Sequence, residues 1–265
     1  MTHYAALSLT VDDRGVACLA LNVPEKRNAL TAEMVGELTE FAHVEARNRD
    51  LRVVILSGNG NTFCAGGDLA WMKTQIDADR ETRMREARKI AFMLKSLNNL
   101  PIPLIGKVHG GAFGGGIGLI SVCDVAIAEA DTQFGLTETR LGLIPATIGP
   151  YVLARLGEGM ARRVFMSSRI FDTHEAVRLG LIADACTASA LDDRVEREVR
   201  PYLDTAPKAV AAAKAFAREL GADITDAMID DSIQRLVNIW EAPEAAEGIA
   251  AFFAKTEPDW ISKNG

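Results

Sequence analysis

Short aliphatic runs that end in turn residues alternate with a helical pattern in the first part of the chain. "GVACLALNV" (15–23) and "LRVVILSG" (51–58) have the β-branched and aliphatic composition of buried strands. Between them, apolar residues recur at helical spacing from Met34 to Val44, and Thr31 is suited to cap the helix at its N-terminus. The pattern therefore predicts a strand, a helix over 31–47 and a second strand.

The strand pattern returns in "IPLIGKVHG" (102–110) and "DVAIAEA" (124–130), and a buried helix is predicted between them over 116–123. After about residue 150, the pattern indicates helices and no further strands. This order predicts an α/β core followed by a helical C-terminal third, with a soft boundary near 190–205. The helices predicted in this second half cover 149–157, 173–182, 191–204, 207–220 and 225–240.

The composition is that of an ordered globular protein. Of the 265 residues, 48% are hydrophobic and 25% are charged, which excludes disordered and fibrous classes. Acidic residues outnumber basic ones by 36 to 29, so the net charge is -7 and nucleic acid is not expected as a partner. The longest uncharged stretch, 108–123, is too short and too rich in glycine for a membrane span. Four widely spaced cysteines and a start without a hydrophobic leader favour reduced thiols and a cytoplasmic location.

Two glycine-rich turns, each after a predicted strand, are the candidates for chemistry. The first lies in "NGNTFCAGGDLAWM" (59–72) and the second in "HGGAFGGGIGLISVCD" (109–124). The second turn matches neither the GxGxxG pattern nor the pattern of a phosphate-binding loop. This excludes a dinucleotide-binding motif and a nucleoside-triphosphate-binding loop there. Glycines there allow either tight packing or close approach of a ligand oxygen to backbone N–H groups. Two such turns could supply two converging donors to one oxygen, which is an oxyanion hole.

Several segments extend this pattern over nearly the whole chain. They are "NVPEKRNAL" (22–30), "FCAGGDL" (63–69), the glycine stretch 109–124, "FGLTETRLGLIPATIGPYVLARLG" (134–157), "AVRLGLI" (176–182) and the tail "EGIAAFFAKTEPDW" (247–260). In order and spacing they resemble the crotonase family of enoyl-CoA hydratases and isomerases. The resemblance implies a crotonase (ClpP-like) α/β spiral of β-β-α units over 1–200 and a C-terminal helical trimerisation region over 201–265. It also implies assembly as a homotrimer or as a hexamer built from two trimers.

The resemblance further implies an acyl-CoA thioester as substrate, with its thioester oxygen between the backbone N–H groups of Gly67 and Gly115. Coenzyme A enters as part of the substrate, and no other cofactor is implied. No histidines have metal-ligand spacing, so no metal is expected. For Lys26 and Lys255, an ordinary solvated surface position stays open as the alternative. The residues matched to coenzyme A or substrate contacts are Lys26, Arg27, Ala65, Asp68, Leu69, Phe252 and Lys255.

The chain departs from the two-glutamate pattern of many hydratases in that family. The second glutamate is present as Glu138, in an apolar setting that should raise the pKa of its carboxyl toward the range useful for general acid-base catalysis. At the position of the first, the chain has Gly118. We therefore expect Glu138 to be the catalytic acid-base group, and Gly118 to leave room for a branch at C3 of the substrate.

A single glutamate fits two reactions. Glu138 could activate water and then protonate C2, which is hydration, or move a proton between C2 and C4, which is isomerisation of a 3-enoyl-CoA. The motifs look more like hydratases of methylglutaconyl-CoA or isohexenylglutaconyl-CoA from leucine or terpene degradation, so a hydro-lyase is expected first. A catalytically weak acyl-CoA-binding or RNA-binding homologue is the remaining alternative. Trp71 and Met72 are expected to contact the acyl tail, while no role is assigned to the arginines at 80, 83 and 85.

Overall fold

The computed structural model describes residues 4–45, 48 and 50–262. The strands of this part of the chain form two sheets. The larger sheet has the strand order β1-β2-β3-β4-β6-β9, and the smaller has the order β5-β7-β8. Strands β1 and β2 are antiparallel, whereas β2, β3, β4, β6 and β9 run parallel to their neighbours. The strands are β1 (Leu7–Val11), β2 (Val16–Leu21), β3 (Val53–Gly58), β4 (Leu104–Val108), β5 (Gly111–Phe113), β6 (Val125–Glu129), β7 (Gln133–Gly135), β8 (Ile170–Phe171) and β9 (Asp184–Cys186).

Helices cover the sheets and make up the C-terminal part of the chain. Short 3-10 helices lie at Pro24–Lys26, Glu138–Leu141 and Ala188–Ala190. The α-helices are α1 (Ala32–Glu45), α2 (Leu69–Ile76), α3 (Arg80–Asn98), α4 (Gly115–Ser121), α5 (Gly149–Leu156), α6 (Glu158–Phe165), α7 (Thr173–Leu179), α8 (Leu191–Leu203), α9 (Pro207–Glu219), α10 (Asp226–Trp240), α11 (Pro243–Ala254) and α12 (Asp259–Ser262). None of the helices in the described part of the chain has the length and apolar character needed to span a bilayer.

The predicted strand, helix and strand at the start of the core are confirmed. The Thr31 hydroxyl accepts a hydrogen bond from the N–H of Met34 at 3.1 Å, so it caps α1 as expected. Met34, Leu38 and Phe41 are fully buried on one face of α1. The last two positions of the predicted helix, 46 and 47, lie outside the described residues.

The expectation that strands end near residue 150 is wrong. Strand β8 pairs with β7, and β9 extends the large sheet by pairing with β6 in the register Ile127 to Asp184. Both strands have only two or three residues, which is too short for a period of two to be recognised. The polar segment after the first glycine turn also forms two helices, because Asp79 accepts a hydrogen bond from the N–H of Thr82 and starts α3 there.

The parallel pairing of β3 and β4 brings the two glycine turns together, because both turns follow the carboxyl ends of neighbouring strands. The turns are then joined by backbone hydrogen bonds. The N–H groups of Phe63 and Cys64 donate to the carbonyls of His109 and Gly111 at 3.0 and 3.1 Å, and the N–H of Phe113 donates back to Cys64 at 3.0 Å. The two segments therefore form one backbone unit at this edge of the sheet.

Candidate active site

A cavity of about 370 Å³ lies beside the joined glycine turns. Its wall is mostly apolar, and Glu138 and Arg140 are the only ionisable side chains among the described residues that line it. Trp71 and Trp240 meet edge to face in this wall, with ring centroids 6.3 Å apart. The lining residues are Leu30, Ala65, Gly66, Gly67, Leu69, Trp71, Met72, Ile90, Phe113, Gly114, Gly115, Thr137, Glu138, Arg140, Leu141, Leu143, Ile144, Pro145, Thr147, Leu236, Trp240 and Phe252.

Gly67 and Gly115 line the same cavity, as the motif comparison implied. Their backbone N–H groups have no acceptor among the described residues. A methyl group added at Gly67 would meet no atom within 4 Å, whereas one at Gly115 would lie 2.5 Å from Leu30 Cδ1. Gly67 thus borders open space, whereas Gly115 is packed against the Leu30 side chain. Free N–H groups at such a place are available to a ligand oxygen.

Glu138 begins the 3-10 helix Glu138–Leu141, which follows Thr137 and ends at the left-handed Gly142. Its carboxyl lies against the second glycine turn, since a methyl group added at Gly114 would be 3.0 Å from Oε1. The other carboxyl oxygen, Oε2, is buried and has no hydrogen-bond partner among the described residues. The structure therefore brings Glu138, Gly67 and Gly115 to one cavity.

Burial in this apolar setting raises the pKa of the Glu138 carboxyl from 4.5 to about 7. A hydrogen bond from its own backbone N–H lowers the pKa only in part, and no neighbouring charge contributes. A carboxyl with this pKa is present in both protonation states near neutral pH. It can therefore either accept or donate a proton there.

Of the residues matched to coenzyme A contacts, Ala65, Leu69 and Phe252 line the cavity. Lys26, Arg27 and Lys255 are exposed and do not line it.

Asp68 also lies outside the cavity lining. It caps α2 through a 2.9 Å hydrogen bond from the N–H of Trp71, and its other oxygen is 3.5 Å from Lys26 Nζ. Asp68 is therefore both the N-terminal cap of α2 and the ion-pair partner of Lys26.

The expectation for Gly118 is wrong, because no room for a substrate branch exists there. Gly118 is buried in α4 and is not among the cavity-lining residues. A methyl group at this position would lie 2.6 Å from Ile148 Cγ2 and 3.1 Å from Leu94 Cδ1. Ile148 and Leu94 therefore fill the volume that a side chain at 118 would need.

Trp71 and Met72, which are expected to contact the acyl tail, line the cavity, but the sequence did not identify Arg140 or the C-terminal residues Leu236 and Trp240. Arg140 could have been identified from the sequence, because it lies only two positions after Glu138, in the same short 3-10 helix. Leu236 and Trp240 lie one helical turn apart on α10, and only the chain's tertiary path brings them here.

The arginines of α3 are engaged elsewhere. Arg80 pairs with Glu241 at 2.6 Å, Arg83 donates to the carbonyls of Gln75 and Ile76, and Arg85 lies 3.5 Å from Glu86. None of the three lines the cavity. The described residues also contain no group of three His, Cys, Asp or Glu side chains that could hold a metal ion.

Comparisons with known proteins agree with this picture. Residues 12–263 match the family model for enoyl-CoA hydratase/isomerase. The human mitochondrial enoyl-CoA hydratase domain-containing protein 2 is 31% identical over 263 residues, which cover 97% of this chain and 89% of the relative. The (E)-benzylidenesuccinyl-CoA hydratase of Thauera aromatica is 29% identical over 249 residues, covering 92% of this chain and 94% of the relative.

Among solved structures, AtuE of Pseudomonas aeruginosa is 38% identical and superposes with a TM-score of 0.79. The match covers 97% of this chain and 99% of AtuE. The expected α/β fold with its helical C-terminal region is thereby confirmed.

The tight packing around Gly118 predicts the effect of a single methyl group. Gly118→Ala should destabilise the fold by about 1–3 kcal/mol because the new Cβ overlaps Ile148. In a protein that already carries Ile148→Ala, the space is empty. There, Gly118→Ala should lower the free energy of unfolding by at least about 1 kcal/mol less than it does in wild type. Urea unfolding of both single variants and the double variant measures this coupling.

The matched control is Gly36→Ala, at an exposed position of α1 where an added methyl group meets nothing within 4 Å. It should be neutral or stabilising by up to about 1 kcal/mol. Additive effects of Gly118→Ala and Ile148→Ala would contradict the packing described.

Glu138→Gln should change how stability depends on pH. Because the folded pKa of about 7 lies above the unfolded value of 4.5, the wild-type fold loses stability as pH rises between these values, by about 3 kcal/mol in all. The neutral glutamine avoids this loss. The variant should therefore match wild type in acid and exceed it above pH 7, as urea unfolding across that range would show. A gap between the two proteins that does not vary with pH would contradict the buried state of the carboxyl.

Proposed function

Because the chain belongs to the enoyl-CoA hydratase/isomerase family, we propose that it is a hydratase that adds water across the 2,3 double bond of an acyl-CoA thioester. The observation that carries this proposal is the buried Glu138 carboxyl in the same cavity as the free N–H groups of Gly67 and Gly115. Coenzyme A belongs to the substrate, and no further cofactor is proposed.

In the proposed reaction, ionised Glu138 removes a proton from a water molecule while the water oxygen bonds to C3. The electron pair of the double bond moves through C2 onto the thioester oxygen, which becomes an enolate oxygen. The N–H groups of Gly67 and Gly115 hold that oxygen, and each is worth roughly 3 kcal/mol when the charge forms only in the transition state. Glu138 then gives its proton to C2, so one water molecule is added in total.

The pKa of Glu138 suits a group that serves first as base and then as acid. A carboxyl with the ordinary pKa of 4.5 would accept the proton of water poorly and would rarely hold it at neutral pH. The pKa near 7 reduces both difficulties. The apolar wall also strengthens the hydrogen bonds to the enolate oxygen, because little water competes with them.

Isomerisation of a 3-enoyl-CoA is the second candidate. It is favoured by one observation, namely that Glu138 is the only carboxylate among the described residues that line the cavity. Moving a proton from C2 to C4 needs one base and no positioned water. The same two N–H groups would hold the same enolate, so the two reactions differ in the fate of the proton and in the use of water.

A branched or glutaconyl-type acyl group is the proposed substrate class, as in leucine or terpene degradation. The wall of leucine, isoleucine, methionine and tryptophan side chains suits a branched hydrocarbon part. Arg140 supplies a positive charge at the same cavity, and its guanidinium has no hydrogen-bond or ion-pair partner among the described residues. We propose that Arg140 binds the distal carboxylate of a glutaconyl group. The name of the Thauera aromatica relative, (E)-benzylidenesuccinyl-CoA hydratase, supports a substrate of this kind.

Assembly as a homotrimer or a dimer of trimers through the region 201–265, in the cytoplasm, is part of the proposal. Large apolar side chains of this region are solvent-exposed in the single chain, including Phe216 on α9 and Met228 on α10. Such residues suit a surface that another copy of the chain covers. Lys26, Arg27 and Lys255, exposed near the cavity-lining turns or at the end of α11, stay candidates for the coenzyme A phosphates.

Glu138→Gln should lower kcat by on the order of 10²- to 10⁴-fold, because the amide can neither take nor give the proton. The experiment follows the enoyl-thioester absorbance with crotonyl-CoA, a 3-enoyl-CoA and 3-methylglutaconyl-CoA, offered in parallel. Loss of absorbance from the 2-enoyl substrates indicates a hydratase, and gain from the 3-enoyl substrate indicates an isomerase. Full activity of the variant would remove Glu138 from the mechanism, and no turnover by wild type of any of the three would contradict the proposal.

Arg140→Gln should lower the ratio of kcat/KM for 3-methylglutaconyl-CoA to kcat/KM for crotonyl-CoA by about 10-fold, because only the first substrate loses an ion pair. Arg140→Lys should restore part of the ratio, since the charge returns without the planar guanidinium. Arg85→Gln is the matched control, because Arg85 is an exposed arginine that does not line the cavity. An unchanged ratio in Arg140→Gln would contradict the assignment of the carboxylate.

A further inference from the structure

Ser168 lies in the loop between α6 and β8 and has an unfavourable backbone conformation. Its φ is +49°, in the left-handed region that side chains with a Cβ seldom adopt, and it is only 3% exposed. A buried serine keeps such a conformation only when its surroundings hold it there. Those surroundings are the 3-10 helix that begins at Glu138.

A continuous chain of hydrogen bonds connects this loop to that helix. The N–H of Arg140 donates to Ser168 Oγ at 3.1 Å, and Ser168 Oγ is paired with Thr139 Oγ1. Thr139 Oγ1 in turn donates to the carbonyl of Met166 at 3.3 Å. This last bond uses the threonine proton, so Ser168 must donate to Thr139. Each hydroxyl then donates once and accepts once, and both are satisfied.

The helix that receives these bonds has little support of its own. It has four residues, the hydrogen bonds of 3-10 geometry are weak, and Thr137 makes no side-chain cap. The residue that ends it, Gly142, packs against α11, because a methyl group added at Gly142 would lie 2.5 Å from the carbonyl oxygen of Glu244. The helix is therefore held by hydrogen bonds from the Ser168 loop and by contact of its C-terminal end with α11.

We propose that Ser168 is a positioning residue, whose hydroxyl fixes the helix so that the Glu138 carboxyl stays in its buried place beside Gly114. This inference rests on the proposed role of Glu138 as the acid-base group. Ser168 touches neither the cavity nor the proposed substrate. It acts through the backbone of Arg140 and the hydroxyl of Thr139, which are the next residues after Glu138.

The test uses Ser168→Gly, which removes the hydroxyl and also relieves the left-handed backbone. The two effects on stability oppose each other, so Tm should stay within about 3 °C of wild type. In contrast, kcat on the preferred thioester should fall on the order of 10- to 100-fold with little change in KM, because the acid is displaced. The pKa of Glu138, followed by carbon-13 NMR of labelled glutamate and assigned with Glu138→Gln, should fall by about one unit as water reaches the carboxyl.

One control variant and one matched pair of variants keep the proposal falsifiable. Ser167→Ala removes the neighbouring exposed hydroxyl, which donates to the carbonyl of Arg163 on α6 and not to the 3-10 helix, and should leave kcat and the pKa of Glu138 unchanged. Thr139→Val should reproduce the Ser168→Gly effect and Thr139→Ser should not, which decides the question if Ser168→Gly fails to fold.

A normal kcat and pKa in Ser168→Gly would overturn the proposal, whether or not Tm changes. If wild type turned over none of the thioesters, the pKa comparison would still test Ser168. Turnover therefore tests the proposed reaction, and the pKa of Glu138 tests the positioning role of Ser168, so that either proposal can fail without the other.

Discussion

The backbone pairing between the two glycine turns is the constraint on which the candidate site depends. Hydrogen bonds between Phe63 and His109 and between Cys64 and Gly111 hold two main chains at a distance that side chains would prevent. At Gly110, with φ of +63°, a Cβ would lie 2.0 Å from the carbonyl oxygen of Asn61. At Gly116 it would lie 2.8 Å from the carbonyl oxygen of Cys64. Gly110 and Gly116 are thus required by packing, and the same close approach of the two turns brings the free N–H groups of Gly67 and Gly115 to one cavity.

The same close approach accounts for the state of Glu138. Its carboxyl rests against Gly114, where the absence of a side chain leaves room for Oε1, and Oε2 is buried without a hydrogen-bond partner among the described residues. Desolvation alone raises the pKa of this carboxyl, since no neighbouring charge contributes. Arg140 follows on the same short helix, yet its charge does not lower that pKa. The short helix therefore places two ionisable side chains at one cavity without an ion pair between them. Glu138 exchanges its proton near neutral pH, whereas Arg140 stays positively charged.

The sequence predicted the parts of the site that depend on local chain geometry. The two glycine turns could be found because each follows a predicted strand. Glu138 was found through the resemblance of its motif to the family pattern, and Trp71 and Met72 as apolar residues directly after the first turn. Trp240, Leu236 and Ser168 could not be found, because they contact residues far away in sequence and no local pattern marks those contacts. Gly118 was misinterpreted for the same reason. The volume that a side chain at 118 would take is filled by Ile148, which lies at the start of α5. Only the packing distinguishes this filled volume from an open pocket.

The pairing of Gly118 with Ile148 also constrains the chemistry. A carboxylate at 118 would need the space that Ile148 and Leu94 occupy, so a second acid could not be accommodated by changing position 118 alone. All proton transfers proposed for this cavity therefore pass through one carboxyl, which must be a base in one step and an acid in the next. A group used in both directions works best when its pKa is near the working pH, because neither form is then scarce. The burial that raises the pKa of Glu138 is thus the physical condition under which a site with one acid can complete a cycle.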